Sequence, residues 1–125
     1  MNPGTRRVSA RNGIERIADE RRRQREKLGW SAMHDDDHEG GEMAMAAACY
    51  AADSKLYVRE DYAGAVHFVD PWPWETHKDA RTYTGNEPDP GKESNAKRIR
   101  LLEKAGALIA AEIDRLLRQK RGASR

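Results

Sequence analysis

The chain has one cysteine, few aromatic residues and almost no excess of charge of one sign. Of its 125 residues one is Cys and one is Phe, and aromatic residues make up 6%. A lone thiol cannot form an internal disulfide, so Cys49, inside an alanine-rich apolar run, is expected in the core. No apolar run reaches the length of a membrane span, and the N-terminus lacks the hydrophobic segment of a signal peptide. We therefore expect a cytoplasmic protein without membrane contact.

Length and composition fit one small domain. The 125 residues are 38% hydrophobic and 35% charged. A domain of this size buries a limited share of its surface, and the high charge content leaves a thin core for a monomer. The sequence therefore predicts a homo-oligomer.

The formal net charge is only +2, but the charges are unevenly distributed. Residues 1–27 carry nine basic and four acidic side chains, whereas residues 34–42 carry five carboxylates and no Lys or Arg. The near balance does not favour a nucleic-acid partner. The acidic segment is expected to face the basic helix of the same chain, with a cation as the alternative.

Apolar periodicity predicts a mainly α fold, a small bundle of about three helices. The first helix is predicted over 14–28, ended by Gly29, and the second over 40–52. The last, over 95–119, has the strongest stripe of apolar residues at intervals of three and four. It is expected to pack on the second helix, with Gly106 and Ala107 permitting a close crossing.

The rest of the chain is predicted to be less regular. Residues 1–12 and 120–125 are expected to be basic tails, the first of them mobile, flanking a single helical domain over 13–119. Within it, 53–93 is predicted to be a long irregular insertion around Trp-Pro-Trp, with candidate short strands at 56–58 and Ala65–Val69. Residues 30–38 are predicted to be a connector whose Asp side chains cap the next helix.

The acidic connector also contains the densest set of potential metal ligands. Imidazoles suit transition metals and clustered carboxylates suit Mg²⁺, the candidate cofactor. The alternative is a capped, solvated connector. The candidate ligands are His34, Asp35, Asp36, His38 and Glu42.

Aromatic and basic residues supply the candidate ligand-binding set. Two Trp rings held stiff by proline offer stacking faces, although plugging of the core edge is the alternative. Arg22 and Arg98 are the candidates for contact with phosphate. The full set is Arg22, Gln24, Trp30, Trp72, Trp74 and Arg98.

Several short sequence segments are informative when they are considered as a set. They are E-R-R-R-Q at 20–24, G-W at 29–30, H-D-D-x-H at 34–38, G-E-x-A-x-A-A at 41–47, W-P-W at 72–74 and K-A-G-A-L-I-x-A-E-I-x-R-L at 104–116. With these segments the chain resembles a family of small uncharacterised proteins encoded by bacteriophages and prophages. The resemblance covers most of residues 14–117. It implies an accessory protein that acts inside a bacterium.

The chain also has a remoter resemblance to the all-α nucleoside triphosphate pyrophosphohydrolases of the MazG type. Those enzymes present Glu-Glu-x-x-Glu and Glu-x-x-Asp motifs to magnesium. Glu42 resembles part of the first motif, and Glu103 resembles the start of the second, but Gly106 stands where the Asp is expected. The acids that this resemblance makes candidate ligands are Asp35, Asp36, Glu39, Glu42 and Glu103.

Rigid aromatics and basic helices without a recognisable catalytic set favour binding over catalysis. Together with the resemblance to phage proteins, this implies a phage accessory protein that sequesters a nucleotide-derived signal or inhibits a host defence protein. One alternative is a divergent Mg²⁺-dependent nucleotide pyrophosphohydrolase. Another is a DNA-associated accessory protein that binds through residues 1–12.

Overall fold

The computed structural model describes residues 12–81 and 94–123, which are mostly helical. The elements in chain order are α1 (Gly13–Glu26), α2 (Ala32–Asp36), α3 (Glu42–Ala51), β1 (Val58–Tyr62), β2 (Ala65–Val69), a 3₁₀ turn (Thr76–Lys78) and α4 (Asn95–Ala123). The mainly α prediction and its two short strands are confirmed. The predictions for residues 1–11, 82–93 and 124–125 lie outside the described residues.

Side-chain caps explain where α1 and α4 begin. The Glu15 amide donates to Asn12 Oδ1 at 2.9 Å and the Asn12 amide donates to Glu15 Oε1 at 3.2 Å, which is a capping box. Ser94 Oγ accepts from the Lys97 amide at 3.2 Å at the start of α4. Asn12 therefore belongs to the boundary of α1 and not to the predicted tail. At the other end of the domain, α4 continues through Ala123, so its end was predicted too early.

The connector prediction for residues 30–38 was wrong in part, because this segment contains α2. Ser31 caps this helix by accepting from the His34 amide at 3.2 Å. The Asp residues do not cap α3, which begins after Gly41 without a side-chain cap. The acids are used elsewhere, since Asp35 pairs with Arg21 and Asp36 with Arg118.

The core lies between α3 and α4. Both helices contribute mainly small and aliphatic side chains, and alanines allow the two backbones to approach closely. Cys49 is buried in α3, as predicted. The buried cluster comprises Met43, Ala46, Ala47, Tyr50, Leu101, Ala105, Leu108 and Ala111.

The centre of α4 also packs closely on α1. A Cβ atom placed on Gly106 would lie 2.5 Å from Ile17 Cδ1 and 2.6 Å from Ile17 Cγ1. Glycine is therefore what lets α1 lie against this part of α4. The close crossing predicted at Gly106 is found, but its partner is α1.

The two strands form an antiparallel hairpin that projects from the helices. Val58 pairs with Val69 at one end and Tyr62 with Ala65 at the other. Ala63 and Gly64 both have positive φ, as a type I′ turn requires. The second strand was predicted with its observed bounds, whereas the first begins two residues later than predicted and ends at Tyr62. No helix among the described residues has the length and apolar content needed to cross a membrane.

Candidate functional site

A cavity of about 430 Å³ opens between the helices and the segment that follows the hairpin. This volume is in the range of small-molecule sites. Its walls come from α1, α3, α4, the α2 region and residues 70–81, which we call the strap. The lining residues include Glu20, Arg23, Gln24, Leu28, Trp30, His34, His38, Tyr50, Trp74, Lys78, Ala80, Lys104 and Leu108.

One wall is a row of four rings, Trp30, His34, His38 and Trp74, which we call the ring ladder. Trp30 and His34 stack with centroids 5.4 Å apart and an interplanar angle of 9°. His34 lies 5.0 Å from His38, and His38 lies 5.3 Å from Trp74. His34 lies within α2, whereas Trp30 precedes the N-cap of this helix and His38 follows its C-cap. Only the Trp30–His34 pair is parallel, since His34 and His38 meet at 73° and His38 and Trp74 at 55°. The ladder therefore offers the cavity a mixture of ring faces and ring edges.

Carboxylates orient the two imidazoles of the ring ladder. His34 Nδ1 lies 3.1 Å from Asp35 Oδ1, and His38 Nδ1 lies 3.3 Å from Glu42 Oε2. Asp35 is fully buried and also accepts from Arg21 Nη2 at 3.0 Å. These acids therefore hold rings in position at the cavity wall.

An arginine clamps the strap that carries Trp74. Arg81 Nη2 lies 2.6 Å from Asp79 Oδ2 and 3.0 Å from Asp70 Oδ2, and its side chain is 1% exposed. The guanidinium carbon lies 5.3 Å from the centre of the Trp72 ring, a cation–π distance. Trp72 meets Trp74 edge to face at 5.6 Å. Trp72, which is not among the residues lining the cavity, thus packs against Trp74 and supports it.

Hydrogen bonds also tie the strap to α3 and α4. Tyr50 Oη donates to the Lys78 carbonyl at 3.3 Å and accepts from the Ala80 amide at 3.1 Å. Lys97 Nζ donates to the Ala80 carbonyl at 2.9 Å. The pKa of Tyr50 is raised, mainly by burial. The strap is therefore a fixed wall of the cavity and keeps the Tyr50 hydroxyl in its neutral, hydrogen-bonding form.

Helices α1 and α4 contribute a buried carboxylate surrounded by cations, which we call the Glu20 cluster: Glu20, Arg23, Arg100 and Lys104. Of these residues, Glu20, Arg23 and Lys104 line the cavity. Glu20 is 3% exposed and accepts from Arg23 Nε at 2.9 Å and Arg100 Nη1 at 2.6 Å. Lys104 Nζ lies 3.9 Å from its other oxygen. Arg100 also pairs with Glu103 at 3.1 Å, so the cluster presents two cations, Arg23 and Lys104, and one carboxylate to the cavity and is cationic there.

Burial and ion pairing act on the pKa values of this cluster in opposite directions. Burial alone would raise the pKa of Glu20, but the hydrogen bonds from Arg23 and Arg100 outweigh it, so the pKa is lowered. Burial lowers the pKa of Lys104, and the neighbouring charge of Arg100 lowers it further. Glu20 is therefore held as a carboxylate between its cations.

Two buried polar atoms on the cavity wall have no hydrogen-bond partner among the described residues. They are Gln24 Oε1 and Trp74 Nε1. Gln24 is 2% exposed, and its Nε2 donates to Glu20 Oε2 at 3.4 Å. A buried polar atom without a partner is costly, so a ligand group that reaches either atom would gain a hydrogen bond.

The structure brings together half of the predicted ligand-binding set. Gln24, Trp30 and Trp74 line the cavity, with Trp72 packed behind Trp74. Arg22 pairs with Asp19 at 2.7 Å and does not line the cavity. Arg98 donates to the carbonyls of Ala51 and Ala52 at 3.0 and 3.2 Å, so it caps the end of α3.

The predicted metal ligands do not converge. Asp35 is engaged by Arg21, Asp36 by Arg118, and Glu42 by His38. Within residues 12–81 and 94–123, no group of three His, Cys, Asp or Glu side chains is arranged to hold a metal ion. This arrangement gives the Mg²⁺ prediction no support.

The acids singled out by the pyrophosphohydrolase resemblance also have separate partners. Glu103 pairs with Arg16 at 2.9 Å and Arg100 at 3.1 Å, whereas Glu42 pairs with His38 at 3.3 Å. Two-metal phosphate chemistry requires several acids around shared ions. Glu103 is held by two arginines and Glu42 is hydrogen-bonded to His38, so these two acids do not converge on a shared site.

Sequence reasoning missed the residues of the Glu20 cluster. One local signal was present, since Glu20, Arg23 and Gln24 are spaced to share a face of α1. The link to Arg100 and Lys104 has no local signal because about 80 residues separate the partners. Comparisons of the chain with protein-family models, with curated proteins and with solved structures found no match.

Proposed function

We propose that the protein is a non-enzymatic binder that holds a planar, anionic small molecule of the nucleotide type in this cavity. The observation that carries the proposal is that the four rings of the ring ladder and the charged residues Glu20, Arg23 and Lys104 line the same cavity. Stacking of a base on an aromatic side chain contributes about 1–3 kcal/mol, and arginine and lysine bind phosphate through charge-assisted hydrogen bonds.

The state of the acids near the cavity favours binding over catalysis. A general base or metal ligand needs a carboxylate that is free to meet substrate or ion. Glu20 is held by Arg23 and Arg100, and Asp35 by Arg21. In a phage-encoded protein in the bacterial cytoplasm, as the resemblance implies, such a binder would sequester a nucleotide-derived host signal.

Two neighbouring arginines of α1 provide a matched test. Arg23 lines the cavity, whereas Arg22 pairs with Asp19 outside its lining. We expect isothermal titration calorimetry with a panel of nucleotides to find a ligand, Arg23→Met to weaken it about tenfold or more, and Arg22→Met to change it less than about twofold. Thermal melting of both variants controls for folding. No binding by the wild-type protein across the panel would rule the proposal out.

We also propose that the protein self-associates through α4. Ile99, Leu102, Ile109, Ile113 and Leu116 are each more than two-fifths exposed on this helix. Their successive spacings of three, seven, four and three residues fit the a and d positions of a heptad repeat, except at position 106, where Gly106 lies against Ile17 of α1. A second copy of α4 would cover this stripe.

A further inference from the structure

The cavity carries enough charge for one phosphate group. Arg23, Lys104 and Lys78 are the cations on its wall, and Glu20 is the opposing carboxylate. Lys78 is also paired with Glu75 at 3.7 Å, which reduces its contribution. A phosphate monoester carries a charge of about −1.5 to −2 at neutral pH, which matches this set. Glu20 already compensates part of the charge of Arg23 and Lys104, and Glu75 part of that of Lys78, so this set leaves little positive charge for further phosphates.

The Gln24 side chain adds a requirement for a hydrogen-bond donor. Its Nε2 donates to the Glu20 carboxylate at 3.4 Å, which fixes the orientation of the amide because a carboxylate only accepts. Gln24 Oε1 is consequently the free acceptor, buried and without a partner among the described residues. A ligand that fills the cavity therefore gains most if it brings an N–H or O–H to this oxygen.

Trp74 adds a requirement for an acceptor. Its indole Nε1 can only donate, and it is buried without a partner in the described part of the chain. The same residue ends the ring ladder, 5.3 Å from His38. An aromatic ligand lying against the ring ladder would accept a hydrogen bond from Trp74 Nε1 at the edge of its ring.

We propose that the cavity is a site for a nucleoside monophosphate. Its base lies against the ring ladder with an N–H facing Gln24 Oε1 and an acceptor facing Trp74 Nε1, and its phosphate meets Arg23 and Lys104. This inference rests on the ligand-binding function proposed above and narrows it to one phosphate and to bases with both a donor and an acceptor. Adenine and guanine meet this requirement, as do cytosine and uracil, whereas unsubstituted purine linked to ribose through N9 has no donor.

Titrations with matched nucleotides test the narrower inference. The probes are adenosine and guanosine 5′-monophosphates, and purine riboside 5′-monophosphate, whose base has acceptors but no donor. Leaving a buried acceptor unpaired should weaken binding of purine riboside monophosphate by about tenfold or more. The corresponding nucleoside should bind more weakly than its monophosphate, and the triphosphate should bind no more tightly.

Two variants assign the discrimination to the proposed atoms. Gln24→Leu keeps a side chain of similar size without the acceptor, so the preference for the base with a donor should fall to about twofold or less. Trp74→Phe keeps an aromatic ring but removes the donor. It should weaken the binding of adenosine and guanosine monophosphates at least fivefold, a reduction on the scale of one lost hydrogen bond. Three results would overturn the inference and leave nucleotide binding itself intact. The first is equal binding of adenosine, guanosine and purine riboside monophosphates to the wild-type protein. The others are unchanged discrimination in Gln24→Leu and tighter binding of a triphosphate than of its monophosphate. Failure of every nucleotide to bind would instead overturn the proposed function.

Discussion

Glu20 accepts hydrogen bonds from Arg23 and Arg100 while it is almost completely shielded from solvent. Removal of one partner from a buried charge network is costly because the remaining charges lose their compensation. The arginine side chains here are 37% and 38% exposed, so water screens part of that cost. Glu20 is therefore both a structural residue and the group that positions the cations of the cavity.

We expect Glu20→Gln to lower the free energy of unfolding by about 2 kcal/mol, below the range for a fully buried pair because of the exposed arginines. Urea denaturation measures this change. Asp19→Asn is the control, because Asp19 pairs with Arg22 at the surface, and it should cost less than about 0.5 kcal/mol. Equal effects of the two substitutions would contradict the role assigned to Glu20.

The wild-type protein and Glu20→Gln should also differ in their response to acid. The pKa of Glu20 is lowered in the folded protein, so the unfolded state takes up its proton first as the pH falls. The stabilisation is therefore complete above the ordinary glutamate value of 4.5 and is lost as the pH falls through the lower folded value. The slope of stability against pH in this window should be shallower in Glu20→Gln than in the wild type.

At the scale of elements, the contact between Gly106 of α4 and Ile17 of α1 sets how closely these helices pack. Alanine at position 106 would gain about 1 kcal/mol in helix propensity. Its Cβ, however, would clash with Ile17 at 2.5 Å. Overpacking of this kind typically costs about 1–3 kcal/mol.

We expect Gly106→Ala to destabilise the wild-type protein by about 1 kcal/mol, net of the propensity gain. In an Ile17→Ala background, where the clashing atoms are gone, the same substitution should stabilise by up to about 1 kcal/mol. Chemical denaturation of the four proteins of this double-mutant cycle gives both values. The same sign in both backgrounds would show that the Ile17 contact does not limit the crossing.

The long elements could be predicted from the sequence because their apolar residues repeat with the helical period. The helix α2 was missed because its five residues are too few to show a period, and its Asp residues match the pattern of a cap for the following helix. The strand β1 was placed too early because Arg59, Glu60 and Asp61 interrupt the apolar run at its centre. Its position is fixed by the turn at Ala63 and Gly64, a weaker signal than Asn-Gly.

The candidate site was predictable only in its aromatic half. Trp30 and Trp74 could be proposed from their ring chemistry and from the prolines beside the latter. The role of His34 and His38 as rings was not apparent, because histidines among Asp residues also fit a metal site. The Glu20 cluster depends on which faces of α1 and α4 meet, and that is a property of packing.

At the scale of the whole molecule, the exposed aliphatic stripe of α4 argues for self-association. We expect sedimentation velocity to give a mass at least twice that of the 14.2 kDa chain at high micromolar concentration. Ile109→Lys should shift the protein to the monomer because a charge in a heptad seam opposes pairing.

A matched substitution controls for a general effect of added charge. Val66 on the hairpin is 49% exposed, close to the 48% of Ile109, so Val66→Lys should leave the mass unchanged. A wild-type protein that sediments as a monomer would exclude self-association through α4. If both substitutions dissociated the oligomer, the interface would not be formed by α4 alone.

The Glu20 cluster joins α1 to α4 across about 80 residues of sequence, so a pocket with these walls exists only while both ends of the domain are docked. Occupancy of the pocket and cooperative unfolding are consequently linked by mass action. A ligand present at about a hundred times its Kd would add about 2.7 kcal/mol to the unfolding free energy. Melting temperature thus becomes a reporter of occupancy, and a library of metabolites could be screened by heating alone, before the compound that the cell supplies has been identified.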